Sequence, residues 1–323
     1  MAATLLSDVL VPALWAEYAR EQYVKRSTFF RSGIVVNDPV IANLVAKGSN
    51  SIDLPFWKPY TGDSQVRESG ATLTINKITT SKEVARLNGR SQVVGYEDLA
   101  AELSGGDPAG AILNYFTNYW DIDTQKMLLA ILDGIFADNL ANDSGDLIYD
   151  ITGETEKELT AEGIIKAMQK LGDAKMKIAA MAIHSQVHAN LQAKNLIDYI
   201  PNNQQDIGWG TYFGKTIIVN DELPVVSDGS GGYDFTSYLF APGSLAYADA
   251  PVEYGIEDGR EKLNGLNYII NRRNFILHPR GFKWLDASRA KDFPTNVELA
   301  LAANWDRVYE KKNTGIIKIV SKG

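Results

Sequence analysis

His184 and His188, four positions apart, are the pair in this chain best spaced for metal chemistry. On a helix that spacing puts both imidazoles on one face, as in H-E-x-x-H metal sites. The run here is His184-Ser185-Gln186-Val187-His188, with no glutamate to serve as general base. A third ligand would have to be recruited from Asp198 or Asp206. The plainer reading is two ordinary histidines on a helix surface. A metal-dependent hydrolase using His184 and His188 stays open as the alternative from the enzyme class.

The other chemical signatures fall short in the same way. Gly214-Lys215-Thr216 ends like a phosphate-binding loop, but that pattern needs a glycine at position 209, which is Trp209. Lys215 also leads into Ile217-Ile218-Val219, a strand, where a phosphate site needs a helix N-terminus. It reads as a turn. Asp228-Gly229-Ser230-Gly231-Gly232-Tyr233-Asp234 lacks the alternating acids and the later bidentate glutamate of a calcium loop. A flexible surface loop is expected there. Arg272-Arg273 sits in an apolar run and reads as an edge or interface pair. G-x-S-x-G and G-x-G-x-x-G are both absent from the sequence. No catalytic residue, cofactor or metal is therefore assigned.

Composition narrows the classes further. The chain has 323 residues, no cysteine, three histidines and a formal net charge of −8. Without cysteine there are no disulfides, thiolate nucleophiles, iron–sulfur sites or zinc ribbons. The acidic balance argues against a basic nucleic-acid-binding domain. With 45% hydrophobic and 22% charged residues, a sizeable core is expected, and the length suggests two structural units. The N-terminus carries no cation before Arg20, and Asp8 and Pro12 interrupt its apolar run, so it makes a poor signal peptide. The longest stretch without Asp, Glu, Lys or Arg, Ile178 to Ala193, is too short and too polar for a membrane span.

The elements that must position these residues follow from periodicity. Leu5, Leu6, Val9, Leu10, Ala13, Leu14 and Tyr18 predict an amphipathic first helix. Residues 51 to 94, rich in Thr, Ser, Ile and Val, predict long extended strands joined through the Gly62 to Gly70 stretch. So few apolar residues cannot make a core of their own, and an isolated hairpin is marginal in water. The arm must lie on another surface, either its own domain or a neighbour.

Asp107 as N-cap and Pro108 in the first turn open a helix with one apolar stripe, Leu113, Phe116, Trp120, Met127, Ile131 and Ile135, for roughly eight turns. Beyond it, helices are expected at 161–171, 184–196 and 297–303. Strands are expected at 176–183, 215–220, 238–240, 252–256, 268–277, 282–285 and 316–320, with 268–277 and 282–285 forming a pair. Helices and strands mix without a βαβ repeat, so the class is α+β.

Three stretches, taken in order with this layout, resemble one family. They are Thr211 to Val225 (TYFGKTIIVNDELPV), Ser237 to Arg260 (SYLFAPGSLAYADAPVEYGIEDGR) and Asn267 to Leu285 (NYIINRRNFILHPRGFKWL), the last closing in a His-Pro-x-Gly-Phe-x-Trp turn. The chain resembles the major capsid proteins of tailed double-stranded-DNA bacteriophages, with the Hong Kong 97-type fold that encapsulin shells share. The resemblance implies an N-terminal arm at 1–48 and an extended loop at 49–95 crossing a neighbouring subunit. It implies a peripheral domain at 96–150 and 250–290, built on a spine helix at 108–137, and an axial domain at 151–249 and 291–323.

It further implies a non-enzymatic subunit that self-assembles into hexamers and pentamers of an icosahedral head around double-stranded DNA, without sequence-specific contact to it. A separate scaffolding protein and a portal are implied partners, with a decoration protein as a further one. No membrane is implied, and assembly would take place in the host bacterial cytoplasm. Met1 at the start suggests that no scaffolding segment is fused to the chain. Trp57, Arg67 and Glu68 are the expected inter-subunit contacts, an apolar anchor and two charges. An encapsulin-like compartment with the same fold is the first alternative.

Overall fold

The computed structural model describes residues 29, 32–45, 49–69, 72–98, 102, 108–194, 196–197, 210–229 and 231–323. The expected first helix, the Asp107 cap, and Asp198 and Asp206 lie outside these residues.

Two sheets organise the described residues. The first contains β1 (Val35–Asn37), β2 (Ser51–Trp57), β3 (Thr80–Glu97), β10 (Leu245–Ala250), β11 (Ile256–Glu261), β12 (Leu266–Pro279), β13 (Phe282–Trp284) and β14 (Trp305–Arg307), in the order β1-β10-β12-β3-β13-β14. There β11 also pairs with β12, and β2 with β3. The second contains β4 (Ile148–Asp150), β5 (Ala180–Ile183), β6 (Thr211–Tyr212), β7 (Lys215–Val219), β8 (Val225–Ser227), β9 (Tyr233–Phe240) and β15 (Ile316–Lys322). Helices α1 (Pro39–Val45), α2 (Pro108–Asn142), α3 (Ala161–Met168), α4 (Ser185–Ala193) and α5 (Asn296–Leu299) complete the mixed α+β architecture.

Helix α2 has 35 residues and is about 52 Å long at 1.5 Å per residue. In its first half one face is buried, with Phe116 and Trp120 as expected, but Ile112 takes the place of Leu113, which is exposed along with Tyr115. From Met127 onward, Leu128, Leu129, Ile131, Leu132, Ile135 and Phe136 are buried on every side. A helix that is apolar all round belongs inside a core. One continuous cluster joins these residues to Tyr238, Phe240 and Ile317 of the second sheet and to Leu245, Phe275, Phe282 and Trp305 of the first.

Several local expectations need correction. Strand 176–183 shortens to β5, because Gln169–Lys177 forms 3-10 turns broken at Gly172 (φ +60°) and leaves Met176 exposed. The strand expected at 252–256 starts at Ile256 and runs through the charged stretch to Glu261, in a hairpin closed by Gly265 at φ +61°. Its residues alternate between exposed and half-buried, so polar side chains fit it and hide it from hydrophobicity. Strands β12 and β13 are not partners, since β3 runs between them.

The end of α2 is tied down by charge. Asn139 Nδ2 donates to Asp146 Oδ1 at 2.8 Å, and the Leu147 amide donates to Asn139 Oδ1 at 3.2 Å. Arg307, on β14, donates to both oxygens of Asp146 at 2.7 and 3.2 Å and pairs with Asp143 at 3.0 Å. Burial pushes the Asp146 carboxyl up, but the Arg307 and Asn139 hydrogen bonds outweigh it and hold it below the usual carboxylate value.

Its stabilisation is therefore present above the unfolded-state pKa and lost as pH falls through the lower folded-state value. Arg307→Ala should cost about 2 kcal/mol at pH 7, as charged hydrogen bonds do. Urea unfolding at pH 7 and at pH 3 should show the gap between variant and parent narrowing in acid. A parent-like midpoint at pH 7 would contradict the account.

Candidate assembly surfaces

The histidine pair is arranged for structure. His184 is the N-cap of α4, with Nδ1 accepting from the Gln186 amide at 3.1 Å and Nε2 3.8 Å from Asp221 Oδ1. A side-chain acceptor at this position satisfies an otherwise orphaned helix amide. His188 is buried with Val187 and Leu191, not on the helix surface as expected. Among the described residues, no group of three or more His, Asp and Glu is placed to hold a metal ion.

The remaining motifs also resolve into packing. Phe213 and Gly214, both at positive φ, make the turn between β6 and β7, and Lys215 Nζ donates to the Ile178 carbonyl. The Asp228–Asp234 segment is tethered, because Lys322 Nζ sits 2.6 Å from Asp228 Oδ2 and 2.7 Å from Asp234 Oδ1. Arg272 pairs with Glu257 and donates to the Tyr254 carbonyl at 3.2 Å. Arg273 donates to the Tyr247 hydroxyl at 2.8 Å and to Asp249 at 3.3 Å. Strand β12 is interior, so neither arginine marks a sheet edge.

What remains unexplained by packing is the connection between β2 and β3. The two strands pair from Ser51↔Arg86 to Trp57↔Thr80, and Lys58 N extends the ladder to Thr79 O at 2.9 Å. Between them, 58–69 and 72–79 carry no helix or strand. Gln65 and Thr74 hold the two sides together through bonds of 2.8 and 2.6 Å. Trp57 is 71% exposed and Ile75 97%, and Tyr60, Val66, Leu73 and Ile78 are exposed as well. Arg67 and Glu68 lie on the same exposed stretch. So many apolar side chains in water on one extension are the signature of a surface meant to be covered.

The base of this extension is built differently. Glu83 on β3 and His278 on β12 have side chains only 7% and 1% exposed, and Glu83 Oε2 lies 3.1 Å from His278 Nε2. The Tyr309 hydroxyl and the Gly281 amide also favour the charged form of the Glu83 carboxyl. Burial pushes this carboxyl up, but the bonds from His278 and Tyr309 outweigh it, leaving it below the usual range. The same bond, after burial, raises the Tyr309 phenol to about 12. The Tyr309 ring stacks edge-on against Phe56 of β2 at 4.8 Å and covers Gly281, where a Cβ would meet it at 2.9 Å. Glu83 and His278 stand 195 positions apart, and no short-range signal in the sequence couples them.

Comparison with known proteins gives a consistent set. A family model described as "Gp13-like: Major capsid protein 13-like" matches residues 76–317. The "Major capsid protein" of Bacillus phage SPP1 is 37% identical over 320 residues, 98% of each chain. The Cyanophage Pam1 capsid superposes with a TM-score of 0.60 at 12% identity, covering 97% of this chain and 98% of that one. An encapsulin from Synechococcus elongatus gives 0.55 at 9% identity, covering 93% and 89%.

Proposed function

The chain belongs to the Gp13-like family of phage major capsid proteins, and from that premise we propose that it builds an icosahedral head of hexamers and pentamers around double-stranded DNA. The observation that carries the mode of assembly is the exposed apolar stretch between β2 and β3, which no surface among the described residues covers. Laid over a neighbouring subunit, Trp57 serves as the anchor, with Arg67 and Glu68 as polar contacts beside it. Interfaces around such rings are heterologous and repeat until the ring closes.

In this reading residues 1–48 are the N-terminal arm and 49–95 the extended loop. The remaining strands of the first sheet with α2 make the peripheral domain, and the second sheet the axial domain. Membership of β14 in the first sheet supports moving the start of the C-terminal axial piece from 291 to between Arg307 and Ile316. The protein acts without catalysis, in the virion, after assembly in the host bacterial cytoplasm. Its further partners are a separate scaffolding protein, a portal and a decoration protein. Full-length similarity to a phage coat protein favours a DNA-filled head over an encapsulin-like compartment.

Light scattering with negative-stain microscopy tests this on the protein expressed alone, then together with the other head proteins of its phage. Rings, tubes or closed shells are expected. A monomer under every condition would count against the proposal.

A further inference from the structure

The hydrogen-bonded carboxyl at the base of the extension sits where four chain segments meet. Strand β3 changes partner within a few residues of it. Residues Thr80 to Arg86 pair with β2, Val84 touches Lys283 of β13, and Leu87 to Glu97 pair with β12. Glu83 therefore lies at the point where the two-stranded extension leaves the full sheet.

Such a point is mechanically weak by default. A two-stranded ribbon twists more freely than a wide sheet and gains little from lateral neighbours. Here it is gripped from both sides. His278 is next to last in β12, Gly281 forms the turn into β13, and Tyr309 follows β14. The Tyr309 ring touches β2 through Phe56 while its hydroxyl holds β3 through Glu83, so one side chain bridges both strands of the ribbon. Lys82 and Asp53, paired at 2.6 Å on the same strands, are solvent-exposed and add little rigidity. The buried grip is different, because a carboxylate shielded from water and bonded to a buried imidazole has few arrangements that satisfy it.

We infer that Glu83, held by Tyr309, His278 and the Gly281 amide, is a positioning residue that sets the angle at which the extension leaves the first sheet. The inference rests on the reading of residues 49–95 as the inter-subunit loop. In a closed shell, that angle decides where Trp57 and the exposed apolar residues meet the neighbour. A loosened grip leaves the subunit folded and makes the approach angle variable.

The test uses the full-length chain with Glu83→Gln, which keeps the side-chain shape and loses one of the acceptor oxygens. Tyr309→Phe removes only a hydroxyl and serves as the milder second variant. Hydrogen exchange of the unassembled protein is followed at 51–57 and 80–86, with 127–136 and 316–322 as references, and shell diameters are measured by microscopy. Exchange at the two root segments should rise about tenfold, equivalent to roughly 1.4 kcal/mol of local opening. The reference segments and the Tm should stay at parent values, and shell diameters should broaden.

Faster exchange across all segments with a lowered Tm would reduce Glu83 to a stability residue and overturn the inference. Unchanged root exchange, or loosened roots with shells of parental size, would overturn it as well. The inter-subunit reading fails separately. It falls if the chain lacking residues 60–80 still closes shells, whatever the exchange result.

Discussion

Deleting residues 60–80 should leave a folded subunit that no longer forms shells. The deleted stretch holds Tyr60, Val66, Leu73, Ile75 and Ile78, all exposed and none part of a buried cluster. The cluster beneath the base, Ile41, Ile52, Ala85, Leu87 and Ile276, stays intact, as does the register of β3 on β12. Phe56 and Ser81 are directly paired, so residues 57–59 can connect them as a tight hairpin, within the usual range of loop lengths.

The subunit should therefore keep its Tm within a few degrees. The loss falls on association. Burying an exposed Val, Ile or Leu contributes about 1.5–3 kcal/mol, so the four such side chains, with Tyr60 beside them, are worth on the order of 10 kcal/mol per contact before ordering costs. Repeated at every subunit of a ring, that loss prevents closure. Gel filtration and calorimetry report the folding, and microscopy reports the shells. Closed shells from the deleted chain would refute the inter-subunit role of the stretch.

Gly134→Ala should be strongly destabilising. Gly134 lies in the buried half of α2, where the chain leaving α5 crosses it. A Cβ there would stand 2.6 Å from Trp305 Nε1 and closer still to the Leu299 carbonyl. Those two groups hydrogen-bond each other at 2.7 Å, and Trp305 packs edge-on against Trp284 at 5.1 Å. The added methyl must push apart a satisfied pair inside a packed core, where backbone cannot give way cheaply.

Alanine's better helix propensity offsets this by less than about 1 kcal/mol. The expected net cost is about 3 kcal/mol, a fall in Tm of roughly 4–5 °C for a chain of this size. Gly153→Ala, with open space around it, should change Tm by no more than about a degree and controls for the chemistry of the swap. If the two variants melt together, the close crossing does not matter energetically.

The sequence was most legible where a local pattern decides the outcome. Helix α2, strands β7 and β15 and the paired strands around residues 58–79 follow from apolar spacing and from Thr-, Ile- and Val-rich runs. The α+β class follows from their order. Strand β10, Leu-Ala-Tyr-Ala-Asp-Ala, has too little β character to be read from composition, and it forms because β1 and β12 flank it. Strand β11 is hidden by its charges.

Of the site, the exposed extension was visible as a polar run without a core, and Trp57, Arg67 and Glu68 lie on it or at its base. The Glu83–His278–Tyr309 grip was not visible. Its members come from three distant segments, and only the folded sheet brings them together. Sequence also assigned His188 to the surface, because a lone histidine's burial depends on what packs over its helix.

The continuous core that runs from one sheet through α2 to the other has a mechanical consequence. The two halves of the subunit cannot rotate against each other without opening a packed interior of Leu128, Leu132, Phe136, Tyr238 and Phe275. A load applied at one edge is passed on as through a stiff plate. Compliance is left to the thin part, residues 58–69 and 72–79, where the described bonds are few and water reaches most side chains. Exchange compared before and after assembly should slow sharply there and stay level across 127–136. Curvature in the finished shell is then a property of its joints, and the plates themselves stay alike in every ring.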